Sequence, residues 1–196
     1  MKSPQRLIGF CLFVAATTMG VSCPGGVPNP GGGGPTSMSA AEQALATNAL
    51  AAINAHRAGH GLAPLTAHAA GAQIAFQHSS AMQSGNFFAH VNPTTNSSPG
   101  SRAWDAGIRH DPGNSIDPQS GRPFVGENLF MTTDAAVTGQ NAVDSWISSP
   151  GHHTQIDAPL PVAGAQTMPA WTHCGIGVRQ VGNQSWWTAV FFRNPN

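Results

Sequence analysis

The chain has 196 residues, enough for one domain with tails, and only 8 % of them are charged while 23 are Gly and 16 are Pro. Hydrophobic residues make up 40 % of the chain, so it can bury a core and does not fit charge-driven disorder. Eight basic residues face eight acidic ones, without the clusters of Lys and Arg that neutralise phosphates. We therefore expect no nucleic-acid partner.

The first 22 residues have the pattern of a secretory signal peptide. Lys2 and Arg6 precede an apolar run from Leu7 to Val21, which is shorter than the roughly 20 residues that span a bilayer. A buried N-terminal helix is the alternative. We expect residues 1–22 to be removed on export, leaving a mature chain without a transmembrane helix.

Cys23 follows a Gly-Val-Ser stretch that resembles a bacterial lipobox, except that its glycine stands where a Leu-like residue is usual. In such signals the cysteine is lipidated, and residues 23–38, rich in Gly and Pro, then form a flexible linker from the membrane. Ordinary cleavage is the alternative, giving a secreted protein in which Cys23 is free to pair with Cys174. The protein is expected to be extracytoplasmic in either case.

Capping signals and apolar periodicity predict two N-terminal helices. The first begins with a capping box at residues 39–42 (SAAE) and ends at Gly59. The second is opened by Pro64 and Thr66 and ends at Gly85. Both carry small apolar residues at helical spacing, which indicates one buried face on each.

The remaining predicted elements follow a long segment, residues 86–117, that is rich in Pro, Gly, Asn and Ser and is expected to be functional. They are a helical piece at 101–106 within that segment, a strand at 124–131, a helix capped by Asp134 that ends before Pro150, a short helix at His152, and a hairpin of strands 175–181 and 185–192. The last strand is aromatic on both faces, so helices should cover both sides of the sheet. We expect an α+β fold.

Nine histidines are many for a chain with so few charges, and His is the commonest metal ligand and proton shuttle. Most of them need no special role. We expect His60, His68 and His110 to be solvated, and His56 and His78 to form hydrogen bonds at the edge of the core.

Three places in the sequence are better candidates for a site. His90 enters the long segment, where a side chain can point into a cleft. His152 and His153 are adjacent on a helix and point about 100° apart, so one faces a site while the other faces away. Glu127 has an apolar neighbourhood and needs a partner to be desolvated. Because the sequence has no HExxH, CxxC or HxH motif, these residues converge only through the fold.

The sequence resembles the CAP superfamily, which comprises the cysteine-rich secretory, antigen 5 and pathogenesis-related-1 proteins, and especially its bacterial SCP-like branch. The matching stretches are residues 54–65 (NAHRAGHGLAPL), 87–92, 126–129 (GENL), 146–155, 174–178 and 187–191. They fall within a predicted domain of residues 39–196. Each piece alone is weak, but six pieces in the family's order make a specific match.

The resemblance implies a three-layer α-β-α sandwich with a mostly antiparallel central sheet and a large cleft. In the family, the cleft holds two histidines and up to two glutamates, and several members bind zinc or another divalent ion there. Position by position these are His90, Glu127 and His152, with Asn128 beside them. The second glutamate has no match, because Ser148 and Ser149 occupy its stretch. His90 and His152 are thus the expected metal ligands.

Three functional hypotheses use these residues. The first is a monomeric binding module whose cleft takes Zn²⁺ or another divalent cation, together with a small or lipidic ligand or a protein partner. The second is a metal-dependent hydrolase in which Glu127 is the base. The third makes His90, Glu127 and His152 a hydrogen-bond network that only ties loops to the core.

Overall fold

The computed structural model describes residues 35–111, 113, 115–160, 163 and 168–196. The predicted signal peptide, Cys23 and most of the predicted linker lie outside these residues. Contacts with the domain begin before the predicted cap at Ser39. The carbonyl O of Thr36 accepts a hydrogen bond of 2.7 Å from Gln73 Nε2, and Met38 packs against the main core.

Five helices and four strands make up the described part of the chain. Their order is α1 (Ala40–Gly59), β1 (Thr66–Ala67), α2 (Ala69–Gly85), α3 (Pro99–Asp105), β2 (Gly126–Thr132), α4 (Gly139–Ile147), α5 (Pro150–Asp157), β3 (His173–Val181) and β4 (Gln184–Phe192). None of the helices in this part combines the length and the apolar content that a bilayer crossing requires.

The capping box of α1 forms as predicted. Ser39 Oγ accepts a hydrogen bond from the Glu42 amide at 3.3 Å, and Glu42 Oε2 accepts one from the Ser39 amide at 2.8 Å. Each bond satisfies a backbone N–H that the first turn leaves without a partner.

The predicted start of the second helix is wrong, because a strand takes its place. The amide of Thr66 donates to Thr172 O at 2.9 Å and that of His68 to Cys174 O at 3.0 Å, which pairs β1 with β3. Helix α2 begins only at Ala69, where His68 Nδ1 accepts a hydrogen bond from Gly71 N at 3.0 Å. His68, expected to be merely solvated, is thus a helix cap.

The predicted cap of the third long helix is also wrong. Asp134 accepts a hydrogen bond of 2.9 Å from Ala136 N in a turn that precedes the helix. Helix α4 instead begins with a capping box in which Thr138 and Asn141 each accept from the other's amide, at 3.3 and 2.9 Å. Two cap-forming residues lie near the same apolar run, and the nearer one starts the helix.

The sheet is mixed, with the strand order β1-β3-β4-β2. Strand β1 is parallel to β3, and the other pairs are antiparallel. The predicted hairpin of β3 and β4 is confirmed, with Gly182 at φ 60° in its turn. Strand β2 lies at the sheet edge, where Glu127 is opposite Val190 and Asn128 is opposite Ala189.

Helices cover both faces of the sheet, which confirms the α+β sandwich. On β4, Phe191 belongs to the core cluster that contains Ile53 of α1 and Trp146 of α4. Phe192 belongs to the cluster that contains Ile74 of α2, and Thr188 Oγ1 is 2.9 Å from Ser79 Oγ on the same helix. Alternate residues of a strand point to opposite faces. The layers are therefore α1, α4 and α5 on one side and α2 with α3 on the other.

Helix α2 rests directly on β3. A Cβ on Gly177 would lie 1.9 Å from Phe76 N and 2.3 Å from Ala75 C. A Cβ on Gly175 would lie 2.2 Å from Gly71 C. Only glycines allow the two backbones to come this close, so they set the spacing between the sheet and this layer.

Arg57, within the matched stretch 54–65, fixes α5 against α1. Arg57 is buried, and its Nη1 donates to the carbonyl oxygens of Ile156 at 2.6 Å and Ala158 at 3.1 Å. Its Nε donates to Ala63 O at 2.9 Å. These bonds hold the C-terminal end of α5 in one place on α1.

Candidate functional site

Glu127 is a buried carboxylate with two partners. Only 1 % of its side chain is exposed; Arg102 Nη2 donates to Oε2 at 2.5 Å, and His90 Nδ1 lies 2.9 Å from Oε1. Burial opposes ionisation, but the Arg102 charge and the His90 hydrogen bond hold the pKa of Glu127 at about 2. The carboxylate is therefore ionised at neutral pH, with both oxygens engaged.

Arg102 is the charged partner of Glu127. The sequence analysis indicated that Glu127 needs a partner but did not identify which residue supplies it. It lies on α3, within the segment that was predicted to be mostly irregular. Its Nη1 donates to the carbonyl oxygens of His90 at 3.0 Å and Ser97 at 2.8 Å. One guanidinium thus ties the loop that carries His90 to the edge strand that carries Glu127.

His90 is fixed by Glu127 but remains open to solvent. Half of its side chain is exposed, whereas that of Glu127 is buried. Because Nδ1 contacts the carboxylate, the Nε2 atom lies on the opposite side of the ring. A carboxylate at one imidazole nitrogen fixes the ring orientation and increases the basicity of the other nitrogen.

His152 lies on α5, in the helix layer on the other face of the sheet. Burial and the charge of His90 together lower the pKa of His152 to about 4. The ring is therefore neutral at pH 7 and keeps a lone pair on one nitrogen. The structure places His90 in contact with Glu127, and it connects the backbone of His152 to β2 through Asn128, the residue after Glu127.

Asn128 lies on the opposite sheet face from Glu127, because the two are consecutive on β2. Its side chain is buried, and Nδ2 donates to the carbonyl O of His152 at 2.9 Å. Asn128 therefore positions the helix that bears His152. Its Oδ1 atom is buried without a hydrogen-bond partner among the described residues.

His153 points away from His152, as their adjacent positions predict. Its Nε2 is 3.0 Å from Asp157 Oδ2. His60 Nδ1 lies 3.0 Å from the same oxygen, so the expectation that His60 is merely solvated is wrong. Sequence reasoning missed Asp157, although His153 and Asp157 have the i,i+4 spacing that places side chains together on a helix.

A hollow of about 520 Å³ lies between α2 and α3. Arg102 is one of its lining residues, together with Gln73, Ile74, Gln77 and Ser97. The arginine that holds Glu127 therefore also forms part of the hollow's wall.

The comparisons with known proteins agree with this architecture. The family model of the cysteine-rich secretory protein family, CAP, matches residues 50–191. The chain belongs to the CAP family. A search of curated proteins found no match.

Three solved bacterial structures share the CAP fold. An extracellular SCP-domain protein from Bacillus anthracis has a TM-score of 0.59 and 22 % identity over 78 % of this chain and 41 % of its own. An outer surface protein from Borrelia burgdorferi has a TM-score of 0.52 and 13 % identity over 74 % of this chain and 89 % of its own. A cysteine-rich secretory protein from Staphylococcus aureus has a TM-score of 0.51 and 12 % identity, covering 78 % of this chain and 40 % of its own. The chain thus spans about two fifths of the Bacillus and Staphylococcus proteins.

This CAP domain has no carboxylate where the second glutamate of the family was sought. Ser148 caps α4 and donates its hydroxyl to Ser145 O at 2.7 Å. Ser149 precedes α5 and makes no side-chain cap hydrogen bond to that helix. Neither residue supplies an acid to the group formed by His90, Glu127 and His152.

We expect the CAP domain to lose stability as the pH falls from about 6.5 to 4. Burial lowers the pKa of His78 to about 4, although the Glu127 charge opposes the shift. In this window the unfolded chain binds a proton at His78 that the folded chain does not, so protonation favours unfolding by up to roughly 3 kcal/mol. His152 contributes in the same direction. Urea unfolding at several pH values measures the slope.

The variant His78→Gln tests the assignment of this pH dependence. Its amide keeps an N–H donor for Ala89 O, which His78 Nε2 contacts at 2.9 Å. We expect a clearly shallower dependence on pH than in the parent protein, with the His152 contribution remaining. An identical slope in the variant contradicts the assignment to His78.

Proposed function

We propose that this chain is an extracytoplasmic CAP-domain binding module in which His90 and His152 hold a divalent cation at the edge of the sheet. The observation that carries the proposal is the fixed yet exposed imidazole of His90. A buried carboxylate orients its Nδ1 side, and half of the side chain remains in solvent. Such carboxylate–histidine pairs are typical of metal-ligating histidines.

The residues fit a borderline cation such as Zn²⁺. His152 is neutral at pH 7, as a metal-binding imidazole must be. Two protein nitrogens leave coordination positions for water or a ligand, so we expect modest affinity and an open site. Glu127 serves as the orienting group, because Arg102 and His90 occupy its two oxygens. The hollow that Arg102 lines is the proposed place for a small or lipidic ligand, since its volume falls in the usual range for such sites.

The hydrolase hypothesis has less support. A general base works best with a pKa near the operating pH. The pKa of Glu127 is about 2, and its carboxylate lies in an ion pair with Arg102. Proton transfer to this carboxylate at neutral pH is therefore weakly driven.

The extracytoplasmic location is supported by the signal-peptide pattern at residues 1–22. Structural neighbours described as an extracellular protein and an outer surface protein are consistent with it. If Cys23 is lipidated, the lipid anchors the domain at a membrane surface. The mass of the mature N-terminal peptide distinguishes a lipidated Cys23 from a free one.

The proposal predicts that His90→Ala and His152→Ala each remove one equivalent of Zn²⁺ from the purified mature protein. The reason is that two ligands cannot be reduced to one without loss of most of the affinity. Elemental analysis after equilibrium dialysis measures the stoichiometry. His173→Ala is the matched control, because its Nδ1 lies 2.8 Å from the Thr172 hydroxyl, outside this site.

Stoichiometry that stays at the parent value in both variants contradicts the proposal. If both variants also have lowered melting temperatures, the group only ties loops to the core. Retained folding with loss of one equivalent supports the cation site.

A further inference from the structure

A second cluster of histidines lies between the C-terminal half of α1 and helix α5. His56 lies in the last turn of α1 and His60 is the C-cap residue of that helix, while His153 and Asp157 are one turn apart on α5. Residues at i and i+4 share one helix face. The bonds of Arg57 to Ile156 O and Ala158 O hold these two faces together.

The polar atoms of the cluster converge around one carboxylate. His56 Nε2 is 2.8 Å from Asp157 Oδ1, while His60 Nδ1 and His153 Nε2 are each 3.0 Å from Asp157 Oδ2. His56 Nε2 and His153 Nε2 are 3.3 Å apart. The ligand atoms of His56, His60 and Asp157 all lie within 4.8 Å of one another.

These separations are close to those of a tetrahedral metal site. Zinc bonds of 2.0–2.2 Å to nitrogen and oxygen place neighbouring ligand atoms about 3.3 Å apart. The three distances to Asp157 and the His56–His153 distance are equal to this value or a few tenths of an ångström shorter. The ligand atoms of His56, His60 and Asp157 are at most 4.8 Å apart, so modest movements of these side chains make room for an ion.

The environment favours a cation at this place. Only 4 % of the Asp157 side chain is exposed, so its charge is desolvated and needs compensation. Arg57, the neighbouring cation, interacts electrostatically with Asp157, but its hydrogen bonds go to backbone carbonyl groups and leave the Asp157 oxygens to the imidazoles. The three imidazoles are partly exposed, and His60, at 42 %, is the most open. An ion can therefore enter from the His60 side.

We propose that His56, His60 and Asp157, with His153 beside them as a fourth donor, form a second metal site that takes Zn²⁺ or a similar first-row divalent ion and connects α1 to α5. Three imidazoles and one carboxylate form a donor set that suits such ions better than Mg²⁺ or Ca²⁺. The site shares no ligand with His90 and His152. The second site can therefore be tested independently of the function proposed above.

The test uses the purified mature protein with both cleft histidines replaced, His90→Ala/His152→Ala, so that only the second site remains. Elemental analysis after dialysis against Zn²⁺ gives the stoichiometry, and Co²⁺ titration reports tetrahedral coordination through its visible absorption. We expect one equivalent of Zn²⁺, an intense Co²⁺ spectrum and a melting temperature that rises with Zn²⁺, because a ligand that binds only the folded state stabilises it.

Adding His60→Ala to this background should abolish the Co²⁺ spectrum and the rise in melting temperature, or weaken Zn²⁺ binding at least tenfold. His60 is the most exposed ligand, so its removal should leave the metal-free melting temperature close to that of the background protein. His173→Ala in the same background is the control and should bind as the background does.

The proposal is overturned if the background protein binds no Zn²⁺, or if His60→Ala and His153→Ala leave the affinity unchanged. If the background variant does not fold, His60→Ala in the parent protein takes its place. Loss of one equivalent then supports the site, and unchanged stoichiometry overturns it. His90→Ala, measured in parallel, shows whether the cation site of His90 and His152 is the one that does not bind.

Discussion

Gly177→Ala is expected to destabilise the domain by about 3 kcal/mol or more. The new Cβ would lie 1.9 Å from Phe76 N and 2.3 Å from Ala75 C, and both are backbone atoms. Relief therefore requires α2 to lift away from β3, which opens the clusters around Phe192 and Trp186. Overpacking in rigid surroundings costs about 3 kcal/mol or more, a large share of a typical domain's stability. Circular dichroism and urea unfolding measure the effect.

Gly59→Ala is the control for this substitution. Gly59 is the last residue of helix α1, and a Cβ there would meet no atom within 4 Å. We expect stability equal to that of the parent protein or slightly higher, because alanine restricts the unfolded chain. If the Gly177→Ala variant had the same urea unfolding midpoint as the parent protein, α2 would not rest on β3 as described.

Arg102→Met is expected to destabilise the protein by about 3–5 kcal/mol at pH 7. The substitution keeps much of the side-chain length but leaves the buried carboxylate of Glu127 without its cation. It also frees the carbonyl oxygens of His90 and Ser97, so the loop between α2 and α3 loses its tie to the sheet. Urea unfolding at pH 7 gives the change in the free energy of unfolding.

Two further variants make this prediction specific. Arg102→Met combined with Glu127→Gln should recover part of the loss, because the uncompensated charge is gone. Arg193→Met should cost less than about 0.5 kcal/mol, since the contact of Arg193 with Asp111 is long, at 3.6 Å, and solvent-exposed. Equal losses in Arg102→Met and Arg193→Met would contradict the assigned role of the buried pair.

The parts of the fold that the sequence predicted are those with strong local signals. The capping box at Ser39 and Glu42 marks the start of α1, and the Gly182-Asn183 turn marks the hairpin. Aromatic residues at consecutive positions of β4 predicted helices on both faces of the sheet. The signals near Thr66 and Asp134 failed, because pairing along the sheet edge and a better cap at Thr138 compete with them.

The candidate site was predicted only through the order of matched stretches. Nothing in the local sequence around His90 or Glu127 specifies that they meet. The helical piece predicted at 101–106 overlaps α3, but its sequence does not indicate that Arg102 contacts Glu127. The cluster of His56, His60, His153 and Asp157 had a visible signal in its two i,i+4 pairs. Which helix faces pack against each other is a property of the tertiary structure, however, and the spacing of residues does not supply it.

Helix α5 constrains how this protein can be changed. It has eight residues and carries both His152, a residue of the proposed cation site at the sheet edge, and His153, which contacts Asp157. The bond from Asn128 to His152 O and those from Arg57 near the C-terminal end fix its rotation about its own axis. A redesign that turns this helix to improve one group of imidazoles will misalign the other. Engineered variants should therefore keep its orientation and alter the facing residues on the loop or on α1.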